Sequence, residues 1–308
     1  MNESVGGIVR AAFGDGATVV RCLPLRGGMS AKVDRVTATL ESSETRELTV
    51  RRRGEYWGRD DNRVRAEYAL IEHVARSGIP VPKPLALVDD ADGRPLAFVL
   101  EYVEGHAPMQ AGEAESLAVA FAETLVRIHG VPLDGLAGLG RSPVGDVVAL
   151  PPWWGASLSP EVVRVLQAWS GLTPCPIRER RLLHGDFWPG NIVVRDGAIA
   201  AVIDWEDAVI GDPVQDVAVV RLDLTWVAGP RVRDLFTAAY AQLSGRDLRS
   251  LPYWDLFAVL RAAPGIDLWA AVYPGMGRPD ITAEAMREVL TATVDAALER
   301  IPRGSAPE

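Results

Sequence analysis

Lysine is nearly absent from this chain of 308 residues, because Lys32 and Lys83 are the two lysines among 32 basic residues. Arginine is therefore expected at positions where similar sequences use lysine. Cysteine is also scarce, and Cys22 and Cys175 form neither a disulfide framework nor the CxxC spacing of zinc and redox sites. This cysteine usage predicts a reducing, cytoplasmic compartment.

Long apolar runs are missing as well. No stretch approaches the roughly 18 uncharged residues of a membrane span, and residues 1–16 lack the apolar centre of a secretory signal. The net charge of −9 excludes a protein that binds nucleic acid through a basic surface, and it favours a cationic small ligand. With 48% hydrophobic residues, the sequence predicts a globular protein without membrane or nucleic-acid partners and leaves its oligomeric state open.

The first third of the sequence is rich in strand patterns. Apolar residues spaced by three and four predict one helix there, Asn62–Ser77, which ends at Gly78. Five β-favouring runs predict strands at Ala17–Leu25, Val33–Leu40, Glu47–Arg53, Leu85–Val88 and Leu96–Val103.

Helical patterns dominate from residue 105 onwards. A hairpin with the turn Asp196-Gly197 interrupts them, since this dipeptide favours two-residue turns. The length and the change of pattern predict two domains, 1–104 and 105–308. The predicted helices are Glu113–His129, Pro160–Trp169, Pro213–Trp226, Val232–Leu243, Tyr253–Ala270 and Thr282–Ile301.

Polar residues with apolar flanks surround the predicted hairpin. His184-Gly185-Asp186 is followed by Asn191 before the hairpin and by Asp204 after it. Two carboxylates and an amide are oxygen ligands that suit Mg²⁺ rather than zinc. Each residue alone also fits a structural use, because Asp and Asn commonly cap turns and end strands. The three together, at this spacing, favour a functional site.

This pattern resembles the aminoglycoside phosphotransferase family and its kinase-like relatives, which carry HGDxxxxN and then an (I/V)D(W/F)E segment. The resemblance implies an α+β, protein-kinase-like fold of two lobes, with a five-stranded antiparallel sheet plus a helix and then a mostly helical lobe. It implies an ATP- or GTP-dependent enzyme that uses Mg²⁺ to phosphorylate a hydroxyl group of a small molecule. It assigns Asp186 as the catalytic residue, Asn191 and Asp204 as metal ligands, and His184 as support for the loop.

The resemblance also assigns nucleotide-binding residues in the first lobe. Arg51 stands where the family usually has lysine, although a solvated strand end is the competing interpretation. Glu67 is its expected partner and Glu72 the competing candidate. The remaining nucleotide contacts are assigned to Gly27, Gly28 and Ser30 in the first strand turn and to the main chain of Glu101 and Val103.

Residues 211–216 resemble the family's GDPxxD segment. Asp212, Pro213 and Gln215 there fit a capped helix start. Asp216 is expected to be buried and paired, so that it supports the loop at Asp186.

The acceptor remains open at the level of sequence. The family's substrates include antibiotics such as aminoglycosides and metabolites such as choline, homoserine and sugars. A nucleotide-binding pseudokinase is an alternative from another class, favoured by Arg51 at the lysine position. A protein kinase is disfavoured because HRD, DFG and APE segments are missing. Candidate acidic residues of an acceptor pocket are Glu206, Asp223, Asp255 and Asp267.

Overall fold

The computed structural model describes residues 4–25, 31–53, 61–90, 92–136, 138–140, 159–169 and 179–301. The chain divides into two compact units. Unit 1 comprises Met1–Gly105, Asp134–Gly138 and Ile199–Glu206, and unit 2 comprises His106–Leu133, Leu139–Ala198 and Asp207–Glu308. The predicted division into domains at residue 104 stays a prediction.

Unit 1 is built on a five-stranded antiparallel sheet with the strand order β1-β2-β3-β5-β4. The predicted sheet is therefore confirmed. Its strands are β1 (Thr18–Pro24), β2 (Ala31–Thr39), β3 (Thr45–Arg53), β4 (Pro84–Asp89) and β5 (Pro95–Glu101).

One face of this sheet packs against helix α1 (Val5–Phe13). Ile8 and Val9 of α1 are fully buried with Val50 of β3 in the same hydrophobic cluster. The Ser4 hydroxyl begins the helix by accepting a hydrogen bond from the amide of Gly7 at 3.2 Å. The sequence does not predict α1, because two glycines among nine residues weaken the helical pattern.

Helix α2 (Asp61–Arg76) packs against β4 and β5. Side chains alternate along a strand, so Val50 lies on the α1 face of β3 and Arg51 on the opposite face. Arg51 contacts Glu67 of α2 there. The alternation thus separates the apolar core of the sheet from a charged cluster.

Helices make up most of the described part of unit 2. Two short strands, β6 (Arg181–Leu183) and β9 (Val209–Gly211), pair antiparallel within it. The helices are α3 (Ala111–Ser116), α4 (Ala118–His129), α5 (Pro160–Trp169), α6 (Pro213–Ala228), α7 (Pro230–Ser244), α8 (Leu251–Ala262), α9 (Ile266–Ala270) and α10 (Ala283–Arg300).

Two helices predicted as continuous are interrupted. The segment Glu113–His129 is split between α3 and α4, where the Ser116 hydroxyl donates to the carbonyl of Glu113 at 2.7 Å. The segment Tyr253–Ala270 changes to a 3-10 turn, Ala263–Gly265, between α8 and α9. Pro264 explains this break, because proline has no amide hydrogen to donate.

The predicted hairpin is present as β7 (Ile192–Arg195) and β8 (Ala198–Val202). Asp196 and Gly197 at its turn have φ of 53° and 75°, as a two-residue turn with positive φ at both positions requires. Among the described residues, none of the helices combines the length and apolar character needed to span a bilayer.

Candidate active site

Strand β6 leads directly into the HGD loop (His184–Asp186). Gly185 in this loop has a φ of 80°, and a Cβ atom built on it would lie 2.1 Å from the carbonyl oxygen of Asp207. Any larger residue would therefore collide with backbone as well as adopt an unfavourable φ. The close approach holds the HGD loop against the segment that begins at Asp207.

The buried carboxylate of Asp216 fixes the backbone of the HGD loop. Its two oxygens accept hydrogen bonds from the amides of His184 at 2.7 Å and Gly185 at 3.0 Å. Asp216 lies in the first turn of α6, whose start is capped by Asp212 through the amide of Val214 at 2.9 Å. The prediction that Asp216 is buried and paired is confirmed.

His184 has the supporting role that its position in the loop predicts. Its ring is fully buried, and Nδ1 accepts a hydrogen bond from the amide of Asp186 at 3.2 Å. The ring also meets Phe187 edge to face, with 5.9 Å between the ring centroids. His184 therefore stabilises the turn that presents Asp186.

A second buried histidine, His129, contacts the Asp216 carboxylate. His129 Nε2 lies 3.3 Å from Asp216 Oδ2, and His129 Nδ1 lies 2.7 Å from the hydroxyl of Tyr240. Burial lowers the pKa of His129, although the Asp216 carboxylate opposes this shift. His129 and Tyr240 come from α4 and α7, and no sequence motif marks either residue as part of this network.

The Asp186 carboxylate is held through both of its oxygens. Oδ2 accepts a hydrogen bond from Asn191 Nδ2 at 2.8 Å, and Oδ1 accepts one from Arg261 Nη2 at 2.7 Å. Asn191 also donates to the carbonyl of Asp186 at 2.9 Å. The structure thus brings Asp186 and Asn191 of the predicted site together, and it adds Arg261, which the sequence does not indicate.

In unit 1, each nitrogen of the Arg51 guanidinium faces a different carboxylate. Nε lies 3.3 Å from Glu67 Oε1, Nη1 lies 3.0 Å from Asp204 Oδ1, and Nη2 lies 2.6 Å from Glu206 Oε2. The structure therefore pairs Arg51 with Glu67 rather than Glu72. It also places Glu206 in this ion cluster, where it partners Arg51.

Negative charge exceeds positive charge in the Arg51 cluster. Burial raises the pKa of Glu67 to about 7 against the opposing effect of Arg51, and Asp204 and Glu206 raise it further. Asp204 also has a φ of 64°, a left-handed conformation that is uncommon outside glycine. Three carboxylates therefore surround the single guanidinium of Arg51.

The remaining nucleotide-binding predictions concern the first strand turn and the end of β5. Gly27, Gly28 and Ser30 lie outside the described residues. Glu101 ends β5, and its amide donates to the carbonyl of Lys83 at 2.9 Å, so a bond from Glu101 to a base would use its carbonyl. Val103 follows β5 by two residues and is partly exposed.

The acidic residues proposed for the acceptor pocket have different environments. Asp255 is buried and receives two hydrogen bonds from Arg221, at 3.1 and 3.2 Å, and its assignment to the acceptor pocket stays a prediction. Asp267 is exposed and pairs with Arg287 at 2.7 Å. Asp223 belongs to the surroundings of Asp186, because burial raises its pKa well above the ordinary value and the Asp186 charge raises it further.

Comparison with solved structures shows the same fold. A thermostable mutant of the aminoglycoside phosphotransferase APH(4)-Ia, in ternary complex with AMP-PNP and hygromycin B, matches with a TM-score of 0.67 at 20% identity. The match covers 95% of this chain and 98% of that one. The GDP and kanamycin complex of APH(2")-IIIa matches with a TM-score of 0.65 at 17% identity, over 96% and 97% of the two chains.

Among curated proteins, acyl-CoA dehydrogenase family member 11 of Gallus gallus is 30% identical over 182 residues. That alignment covers 54% of this chain and 23% of the relative. The chain spans between 16% and 30% of the length of the curated relatives that it matches.

A family model provides the broadest sequence match. The model of the phosphotransferase enzyme family APH matches residues 22–254, which include the Arg51 cluster and the HGD loop. The chain therefore belongs to the APH phosphotransferase enzyme family.

Proposed function

We propose that this phosphotransferase moves the γ-phosphoryl group of ATP or GTP to a hydroxyl group of a small molecule. The observation that carries the proposal is the Asp186 carboxylate, which is partly exposed yet fixed through both oxygens by Asn191 and Arg261. A carboxylate fixed in this way can accept the proton of an alcohol in one defined direction.

The transfer step requires little covalent chemistry from the protein. The acceptor oxygen forms a bond to the γ-phosphorus while the bond from that phosphorus to the nucleoside diphosphate oxygen breaks. The hydroxyl proton goes to Asp186, and the diphosphate leaves with the electron pair of the broken bond. Orientation of the alcohol and neutralisation of phosphate charge are the main contributions expected of the side chains.

We assign Asn191 and Asp204 as the residues that would hold Mg²⁺. A bound Mg²⁺ neutralises charge that develops on the phosphate oxygens. The excess of carboxylates around Arg51 fits a divalent cation. No group of three or more His, Cys, Asp or Glu with metal-binding geometry occurs in the described ranges. Such a site need not be present in the protein alone, because phosphate oxygens and water complete the Mg²⁺ sphere in kinases.

We assign nucleotide binding to unit 1. Arg51, fixed by Glu67, would contact the phosphates with its planar fork. The pseudokinase alternative rests on this arginine, and to bind phosphate its Nη1 and Nη2 would have to exchange the carboxylates of Asp204 and Glu206 for phosphate oxygens. The other assigned contacts are Gly27, Gly28, Ser30, Glu101 and Val103.

Two classes of acceptor have support. The solved structures that share the fold include complexes with hygromycin B and kanamycin, which supports an aminoglycoside acceptor. A metabolite alcohol is the second candidate, because the relatives that align over more than half of this chain are named for acyl-CoA dehydrogenase families and not for antibiotics. We infer a cytoplasmic enzyme for either class from the cysteine usage.

An acceptor screen tests the proposal. Purified protein would be incubated with Mg²⁺, ATP or GTP, and single acceptors from panels of aminoglycosides and hydroxylated metabolites, and ³¹P NMR would detect a new phosphate monoester. A monoester that forms with the wild type and is absent with Asp186→Asn supports the transfer reaction. Nucleotide binding without a monoester from any acceptor favours the pseudokinase.

A further inference from the structure

Arg261 reaches the HGD loop from the last turn of α8. Its Nη2 lies 2.7 Å from Asp186 Oδ1 and 3.3 Å from Asp207 Oδ2. The backbone of Asp207 is the same segment that approaches Gly185. Arg261 therefore contacts the side chain of Asp186, which follows Gly185, and the side chain of Asp207, whose carbonyl approaches Gly185.

The contact completes the orientation of Asp186. Asn191 Nδ2 holds Oδ2 of the carboxylate at 2.8 Å, while the guanidinium holds Oδ1. An aspartate side chain has two rotatable bonds, so partners at both oxygens restrict it to one direction. Each carboxylate oxygen still has a second lone pair with which to accept a proton from an alcohol.

The charges around Arg261 also favour its contact with Asp186. Burial alone would lower the pKa of Arg261, but the carboxylates of Asp186, Asp207 and Asp223 more than offset this effect and raise it. Burial and Asp186 raise the pKa of Asp223, and Arg261 opposes the shift. Arg261 is therefore a permanent positive charge that faces three acidic side chains.

We propose that Arg261 is a positioning residue for phosphoryl transfer, which holds the Asp186 carboxylate in the orientation that receives the acceptor proton. This inference rests on the proposed function, since it assigns Asp186 the proton. Arg261 acts through Asp186, whereas nucleotide binding is assigned to the Arg51 cluster of unit 1. It therefore affects the transfer step and leaves nucleotide affinity unchanged.

The test compares Arg261→Met and Arg261→Lys with the wild type in Mg²⁺-dependent nucleotide turnover, with water or an identified alcohol as acceptor. A loss of fixed geometry is expected to lower kcat about 10- to 100-fold in Arg261→Met, while KM for the nucleotide stays unchanged. Arg261→Lys should recover part of kcat, because it restores the charge with a shorter reach. Arg287→Met is the matched control, since Arg287 pairs with exposed Asp267 in the same unit.

A double variant separates positioning from general structural damage. If Arg261 acts through Asp186, adding Arg261→Met to Asp186→Asn should lower kcat no further than Asp186→Asn alone. Additive losses, or a loss that appears in KM for the nucleotide and not in kcat, would overturn the inference.

A structural measurement distinguishes failure of the contact between Arg261 and Asp186 from failure of the proposed function. If the wild type turns over no nucleotide with any acceptor, the proposed function fails, and rate measurements cannot test the effect of Arg261 on Asp186. A crystal structure of Arg261→Met then shows whether the Asp186 carboxylate leaves its wild-type direction. A carboxylate that moves supports positioning by Arg261, and one that keeps its direction and its bond to Asn191 overturns it.

Discussion

At the scale of single residues, the HGD loop depends on the absence of a side chain at Gly185. Two separate effects restrict this position: a φ of 80° and the carbonyl of Asp207 2.1 Å from the place of a Cβ atom. Gly197 in the β7–β8 turn has nearly the same φ, 75°, but a Cβ there meets nothing within 4 Å. Substitutions at Gly185 and Gly197 can therefore be compared to separate the free-energy cost of the left-handed φ from the cost of the collision with Asp207.

We predict that Gly185→Ala destabilises the protein more than Gly197→Ala does. Alanine in the left-handed region costs about 1–2 kcal/mol, and this cost applies to both variants. The collision in Gly185→Ala adds backbone displacement, for a total of about 3 kcal/mol or more. Urea unfolding of both variants measures the difference, and equal losses would show that the close approach to Asp207 is absent in solution.

At the scale of elements, a buried ion pair joins α6 and α8. Arg221 of α6 donates two hydrogen bonds to Asp255 of α8 and a third to the hydroxyl of Thr237 in α7 at 2.8 Å. Both charged side chains are at most one-tenth exposed. The sequence shows Asp255 as one acidic residue among many, and only the packing of the helices supplies its partner.

We expect Arg221→Met to cost about 3–5 kcal/mol of unfolding free energy, because it leaves the Asp255 carboxylate buried without its cation. The double variant Arg221→Met with Asp255→Leu should regain most of this loss, since apolar pairs often replace buried ion pairs without penalty. Denaturant unfolding of the wild type, Arg221→Met, Asp255→Leu and the double variant provides the double-mutant cycle. A small effect of Arg221→Met alone would mean that water reaches the pair.

A second contact between elements makes stability depend on pH. His129 of α4 lies against Asp216 of α6 and Tyr240 of α7, and burial lowers its pKa below the value of about 6.5 for an unfolded histidine. The unfolded chain therefore binds the proton at a higher pH than the folded protein. The contribution of neutral His129 is complete above about pH 6.5 and is lost as the pH falls below it.

The prediction is a shallower acid-side slope of stability in His129→Gln than in the wild type. Glutamine keeps a polar partner for Tyr240 but takes up no proton. Unfolding free energies measured between about pH 4.5 and 7.5 give the slope. His106→Gln is the control, because the His106 side chain is 63% exposed; parallel slopes for wild type and His129→Gln would rule out this histidine as the cause.

At the scale of the whole molecule, local sequence signals predicted the fold well. The five strands and α2 follow from alternation, turns and helical spacing, and they form the predicted sheet. Spacing within one loop and hairpin also favoured a site of Asp186, Asn191 and Asp204, and the structure places the first two of these in hydrogen-bond contact. These features depend on residues close together in the chain, where the backbone geometry itself restricts the outcome.

The features that escaped prediction depend on distant parts of the chain. Arg261 lies 75 positions after Asp186, and His129 lies 87 positions before Asp216. A helical pattern shows which side of a helix is apolar, but it does not show which carboxylate an arginine on that helix will meet. No local sequence signal shows that Ile199–Glu206 belongs to unit 1 either. Within that unit, Asp204 and Glu206 of this segment pair with Arg51.

The most direct test of the account is a comparison of wild type and Asp186→Asn in nucleotide binding and phosphoryl transfer on the same preparations. Mg²⁺–nucleotide at about 100 times its Kd should stabilise both proteins by about 2.7 kcal/mol, which a rise in Tm records. Transfer to the acceptor identified in the screen, followed by ³¹P NMR, should be about 10²–10⁴-fold slower for Asp186→Asn. Equal transfer rates for the two proteins would contradict the role of Asp186 and, with it, the proposed reaction.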